Sequence, residues 1–266
     1  MGIACVCDGT STSPYAAEAA EYVSSQITRL FKTPDASPRA ACADIREELL
    51  QLRASAAERP INTPNGLPEA MRAMLIATAT ERRRHSHQTT VIAAHLTIEE
   101  GQLAVEFLQC GDSQLLVYGP GGAALWLSGS GSRGGVPEPD KPDASGSSEH
   151  GLRLRARSAV TDVLPDSPNE AIRYSRLRFA RYDSILLGSD GLFNAFDDTG
   201  QLHAWLREHE RLLPGAGGIP SPEHAADLDE CLRMLHERLS TRCGDDDITF
   251  VWIRPIGSPT EQAEAE

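Results

Sequence analysis

The stretch Ser184-Ile185-Leu186-Leu187-Gly188-Ser189-Asp190-Gly191-Leu192-Phe193-Asn194-Ala195 decides how the rest of the chain is read. Ile185, Leu186 and Leu187 form a short continuous apolar run, the pattern of a strand covered on both faces, and Gly188 and Gly191 bracket the polar pair Ser189-Asp190. Asp190 is therefore expected where a buried strand ends. A carboxylate in that place has to be paired, hydrogen-bonded or bound to a metal, because an isolated buried charge is too costly.

Outward from this stretch the same design recurs. Ile3 to Cys7 is apolar and runs into Asp8-Gly9, while Asp245-Asp246-Asp247 runs into the apolar segment Ile248 to Ile253. Asp112, in Cys110-Gly111-Asp112-Ser113, separates two alternating apolar runs. A single Asp beside Gly at a strand end is an ordinary turn former. It is the joint pattern at Asp8, Asp112, Asp190 and Asp246 that points to a shared chemical purpose.

The elements between these turns follow from periodicity. Ser13 and Pro14 give a helix start, and Ala16, Ala20, Val23, Ile27 and Phe31 recur at helical spacing. Ser37-Pro38 repeats the signal for a second helix to about Ala57, with Ile45, Leu49, Leu52 and Ala56 on its stripe. A third has Ala70, Met71, Met74, Leu75 and Thr78 on one side, and the succession suggests one outer helical layer. From Gln88 the period becomes that of strands: Thr90 to Ile98, Leu103 to Cys110, Gln114 to Tyr118 and Ala123 to Leu127 read as a meander. Tyr174 to Ala180 is expected to pair with Ser184 to Leu187 through the turn Arg181-Tyr182-Asp183. Two further stripes, Leu202 to Leu213 and Leu228 to Leu239, predict helices, with His209 packed on the first.

The expected fold class is α+β: a four-layer α-β-β-α sandwich of two antiparallel sheets flanked by helices. One domain is expected over residues 1–256, with a Ser-, Gly- and Pro-rich flexible loop at 128–151 and a disordered acidic tail at 257–266. The formal net charge of -13 repels phosphodiester backbones and anionic lipid, so neither nucleic acid nor membrane is an expected partner. Cys5, Cys7, Cys42, Cys110, Cys231 and Cys243 include no Cys-x-x-Cys pair and read as free thiols of a cytoplasmic protein. Neither a long apolar span nor a leader pattern is found, which agrees with a cytoplasmic location.

In a sandwich, strand ends from distant sequence can converge on one edge. Clustered there, Asp8, Asp112, Asp190 and Asp246 are stable only if cations neutralise them, and oxygen-only donors favour Mg²⁺ or Mn²⁺. A pair of such ions lowers the pKa of a shared water and clamps a phosphate for in-line attack, which is the chemistry of phosphoester hydrolysis.

These residues resemble the motifs of the protein phosphatase 2C family of metal-dependent serine/threonine phosphatases. The similarity runs in order over about residues 3–254: Asp8-Gly9, Gln88-Thr89-Thr90-Val91, Gly111-Asp112-Ser113, Ser189-Asp190-Gly191 and Asp246-Asp247-Ile248-Thr249. The resemblance implies hydrolysis of phosphoserine and phosphothreonine on a protein by a metal-bridging water, so that no side chain is the nucleophile. It implies that Asp8 bridges two ions, that the Gly9 carbonyl ligates one, that Asp190 and Asp246 ligate the second, and that Asp112 with Asp190 forms a weaker third site. A phosphoprotein substrate and a cognate kinase are the implied partners, and signalling is the implied setting.

The chain also departs from that pattern. Family members carry a phosphate-binding Arg and an acidic pair on a strand before the Asp-Gly strand, and only seven residues precede Asp8 here. A missing strand is expected to leave a sheet edge open to a partner chain. Arg82, Arg83 and Arg84, the strongest basic cluster, are candidates for the substrate phosphate, against the plainer reading of a solvated helix end. The competing functional reading is a catalytically weak or inactive phosphatase-like interaction module.

Overall fold

The computed structural model describes residues 2–33, 38–128, 162–168, 171–180, 183–209, 230, 233–234, 237 and 247–254. Most of the expected loop at 128–151, most of the helix expected from Leu228, Asp246 and the tail at 257–266 lie outside them. The chain divides into two compact units, one of Met1–Leu96, Val105–Ser113 and Ala159–Arg176, the other of Thr97–Ala104, Gln114–Ser158 and Leu177–Glu266.

In the first unit β1 (Gly2–Gly9) pairs antiparallel with β2 (Thr89–Glu99), with Val6 opposite Ile92, Asp8 opposite Thr90 and Gly9 opposite Thr89. β2 turns back into β3 (Gln102–Cys110) through Glu100 and Gly101, whose φ values of 52° and 79° are those of a two-residue hairpin matched to the strand twist. α1 (Ala16–Lys32) buries Ala19, Val23, Ile27, Leu30 and Phe31, and α2 (Pro38–Glu58) buries Cys42, Ile45 and Leu49. They cluster with Val91, Ala93, Leu108 and Cys110 of the sheet. Each large side chain so buried contributes about 1.5–3 kcal/mol relative to exposure.

Two expectations need correction here. α1 opens behind Tyr15, not at Ser13-Pro14, because that dipeptide has other partners: the Ser13 hydroxyl accepts the Gln88 amide at 3.0 Å and the Pro14 carbonyl accepts the His87 amide at 2.9 Å. α3 (Glu69–Arg84) is a helix as predicted, yet it buries none of its residues, and Met71 and Met74 are 51% and 66% exposed. Periodicity identified the helix but not a layer to cover its apolar side.

In the second unit β4 (Gln114–Tyr118) pairs antiparallel with both β5 (Ala124–Leu127) and β7 (Ser184–Gly188), and β7 with β8 (Phe250–Ile253). α4 (Asp190–Asn194) and α5 (Thr199–Glu208) cover this sheet, with Leu192, Phe193, Leu202, Trp205 and Leu206 packed on Leu116, Tyr118 and Leu186. Asp198 caps α5 by accepting the Gln201 amide at 2.9 Å. His209 is packed as expected, its Nδ1 2.8 Å from the Trp205 carbonyl oxygen.

The strand orders among the described residues are β1-β2-β3-β6 and β5-β4-β7-β8, where β6 is Arg173–Ala180. The expected hairpin of β6 and β7 is therefore corrected: the Asp183 carboxylate accepts the Ala180 amide at 2.8 Å, but the two strands join different sheets. The reason is visible in their burial. The apolar run of β7 suits a place between β4 and β8, whereas β6, with Arg173, Tyr174, Arg176 and Arg178 exposed, suits the end of a sheet. The architecture is the expected α+β class with two antiparallel sheets and helices.

Candidate metal centre

The first unit builds one acidic corner from three separate segments. β1 and β2 bring Asp8-Gly9 beside Thr89-Thr90, and the Thr89 hydroxyl donates to the Asp8 carbonyl at 2.9 Å, with the Thr90 hydroxyl 3.4 Å away. Thr90 Oγ1 also lies 2.7 Å from Ser113 Oγ, which draws the Gly111-Asp112-Ser113 turn to the same strand end. Gly111 has a φ of 98°, and a Cβ there would sit 2.7 Å from the Thr90 Cβ, so only glycine permits the approach. A Cβ at Gly9 would likewise meet Ala16 at 2.8 Å. Asp112 is 5% exposed.

The second unit builds the other acidic turn around one serine. Ser189 donates its amide to the Thr249 carbonyl at 2.9 Å, while its hydroxyl accepts the Thr249 amide and donates to the Asp247 carbonyl, both at 3.1 Å. Asp190 thus opens α4 next to the segment that follows Asp246, and Asn194 donates to its Oδ2 at 3.4 Å. Asp246 itself lies outside the described residues.

The carboxylate and carbonyl oxygens of these turns suit a hard divalent cation in kind, and the two glycines let the turns press against Ala16 and Thr90, where a Cβ would intrude. Among the described residues no group of three or more His, Cys, Asp or Glu side chains is gathered as a metal cage. Arg82, Arg83 and Arg84 form the last turn of α3, where cations complement the helix dipole. There Arg84 pairs with Glu81 at 3.0 Å and Arg83 donates to the carbonyls of Arg59 and Pro60.

Two features had no counterpart in the sequence reading. Arg53 of α2 makes a two-pronged pair with Asp166 at 2.5 and 3.1 Å, and Leu164 bridges to Thr89 by two backbone bonds, so residues 162–168 brace the start of β2. Burial raises the Asp166 pKa, but hydrogen bonds from Arg53 and Gln88 outweigh it and hold the carboxyl below its ordinary range. The other is a corner where Tyr15 and His87, both with left-handed φ (61° and 58°), stack at 5.2 Å beside the Asp8 turn. Positive φ at two aromatic residues is costly and leaves no signal in hydropathy.

The first acidic corner, with its paired threonines and Gly-Asp-Ser turn, and the second, at the start of a short helix, define a class. The family model for protein phosphatase 2C matches residues 2–233, and the chain belongs to that family. Among solved structures it is similar to a bacterial serine phosphatase (18% identity over 96% of this chain and 87% of that one, TM-score 0.53). It is also similar to the serine/threonine phosphatase Stp1 of Staphylococcus aureus (18% identity, 96% and 84% covered, TM-score 0.52). A serine/threonine phosphatase of S. agalactiae is matched at 15% identity, with 96% and 86% covered and a TM-score of 0.50. The shared property is the fold. No curated protein is matched in sequence. Among the described residues no helix is long and apolar enough to cross a membrane.

Proposed function

We propose that the protein is a phosphoprotein phosphatase that hydrolyses phosphoserine and phosphothreonine esters with two Mn²⁺ or Mg²⁺ ions. The observation that carries this reading is that Asp8, Asp112 and Asp190 each stand at a strand end within a chain belonging to the family. In this reading Asp8 and the Gly9 carbonyl, with Asp190 and Asp246, hold the two ions, and Asp112 with Asp190 holds a third more weakly. When bound, such a pair supplies a water of lowered pKa and neutralises the phosphoryl oxygens.

The chain's own part is to aim these oxygens. Thr89 and Thr90 fix the Asp8 carbonyl, which sets the direction of the Asp8 side chain and of the Gly9 peptide. Ser189, locked to the Asp247–Thr249 segment, sets the first residue of α4. The domain proposed over residues 1–256 acts in the cytoplasm on phosphoproteins made by a cognate kinase. The Arg82 to Arg84 cluster adds positive potential for the phosphate.

The test is a calorimetric titration of Mn²⁺ into the full chain, with hydrolysis of a phosphothreonine peptide followed in parallel. Asp190→Asn is expected to lose at least about a hundredfold in turnover. Unchanged turnover would remove Asp190 from the centre, and no heat with no turnover in the wild type would overturn the phosphatase reading.

A further inference from the structure

Arg59 is set apart from most other cations near the Asp8 corner. It is exposed, and among the described residues it has no carboxylate partner, although acidic residues outnumber basic ones 38 to 25 in the sequence. Its neighbours are spoken for: Arg53 is paired with Asp166, Arg84 with Glu81, and Arg83 with main-chain carbonyls. Arg59 instead rests on an aromatic ring, its guanidinium carbon 4.9 Å from the centroid of Tyr15.

That ring is held firmly and close to the centre. Tyr15 stacks on His87, which is fully buried and donates its amide to Pro14. The residue after Tyr15, Ala16, is the one that would collide with a Cβ on Gly9, so the platform adjoins the Asp8-Gly9 turn through backbone contact. Arg83 bonds to the Arg59 and Pro60 carbonyls, which pins the end of α2 from the other side. A guanidinium fixed by stacking keeps its in-plane N–H donors directed to solvent, the arrangement that receives an oxyanion.

We infer that Arg59, carried on Tyr15, is an oxyanion-binding residue for the phosphopeptide substrate at the edge of the Asp8 corner. This rests on the phosphatase reading. The oxyanion is either the phosphoryl group or a carboxylate side chain flanking the phosphorylated residue. Stacking rather than ion pairing holds the cation in place, so its charge is available to a ligand.

The test is fluorescence anisotropy with the full chain in EDTA, where no hydrolysis intervenes. Three labelled peptides serve as probes: a phosphothreonine peptide with neutral flanks, the same with acidic flanks, and the acidic peptide without phosphate. Arg59→Ala is expected to weaken binding about tenfold, the worth of one charge-assisted contact, and Arg59→Lys less. Loss with both phosphopeptides assigns the phosphoryl group; loss with both acidic peptides alone assigns the flanking carboxylate. Equal binding of all three by wild type and Arg59→Ala, or the same loss in Arg72→Ala on exposed α3, overturns the inference. Hydrolysis with Mn²⁺ is scored separately, so absent turnover with intact Arg59 dependence tells against the phosphatase reading alone.

Discussion

The two acidic turns are held by different means. The Asp8 and Asp112 corner is bound by hydroxyls that are themselves buried, those of Thr89, Thr90 and Ser113, and by a glycine pressed against a β-branched side chain. The Asp190 turn hangs on Ser189, whose partners Asp247 and Thr249 are exposed. A rigid interior therefore fixes one set of oxygens, and a single serine reaching a surface segment fixes the other. Substitutions of like kind should cost more in the first than in the second.

Glycine replacement is the harshest comparison. At Gly111 an alanine faces both a φ of 98° and contacts under 3 Å with Thr90 and the Asp162 carbonyl, none of which is a flexible chain end. At Gly188 the close atom is Leu192 Cδ2 at 2.8 Å, the tip of a side chain able to swing aside. Gly111→Ala is expected to cost about 2–4 kcal/mol and Gly188→Ala no more than about 1, read as urea midpoints at constant slope. Equal losses would break the contrast.

Hydroxyl removal sharpens it on a smaller scale. Thr90→Val keeps the shape but deletes the contact to Ser113, which is fully buried, and the one to Asp8, so about 2 kcal/mol is expected. Ser189→Ala loses two bonds, but water reaches the exposed Asp247 and Thr249, so the cost should be nearer about 1 kcal/mol. A larger loss at Ser189 would mean that its segment is held as firmly as the threonine corner.

What the sequence disclosed divides along the same physical line. The strand at Ile185–Leu187, the Asp that ends it, and the Asp8 and Asp112 turns were legible because apolar runs and glycines are local signals. The places of β6 and β7 were not, because a turn specifies reversal of direction and not which neighbour a strand will find. Nor was the pairing of Arg53 with Asp166, side chains 113 positions apart on a helix and a bracing segment. The exposure of α3 belongs here too, since its period describes one helix and not what lies against it. The start of α1 shows the converse, a local cue overridden when His87 and Gln88, just before β2, took Pro14 and Ser13 as acceptors.

The smallest expected difference between the turns is one of pH. Ser189 does not titrate, but the Asp8 side adjoins His87, whose pKa burial lowers; the charge of Glu18 opposes this, and those of Arg53 and Arg59 add to it. Its ring is fully buried, with Nδ1 3.0 Å from the Ser86 hydroxyl and Nε2 3.7 Å from Glu18. The unfolded chain therefore binds a proton at this site near pH 6.5 that the folded chain resists. The stability due to neutral His87 is fully present above about pH 6.5 and is lost as the pH falls from there towards the lower folded pKa. Asn tolerates the left-handed φ of 58° and carries no such proton, so His87→Asn should flatten the fall in urea midpoint between about pH 7 and pH 5.5. An equally steep fall in the variant would place the acid sensitivity elsewhere and leave the two turns alike in this respect.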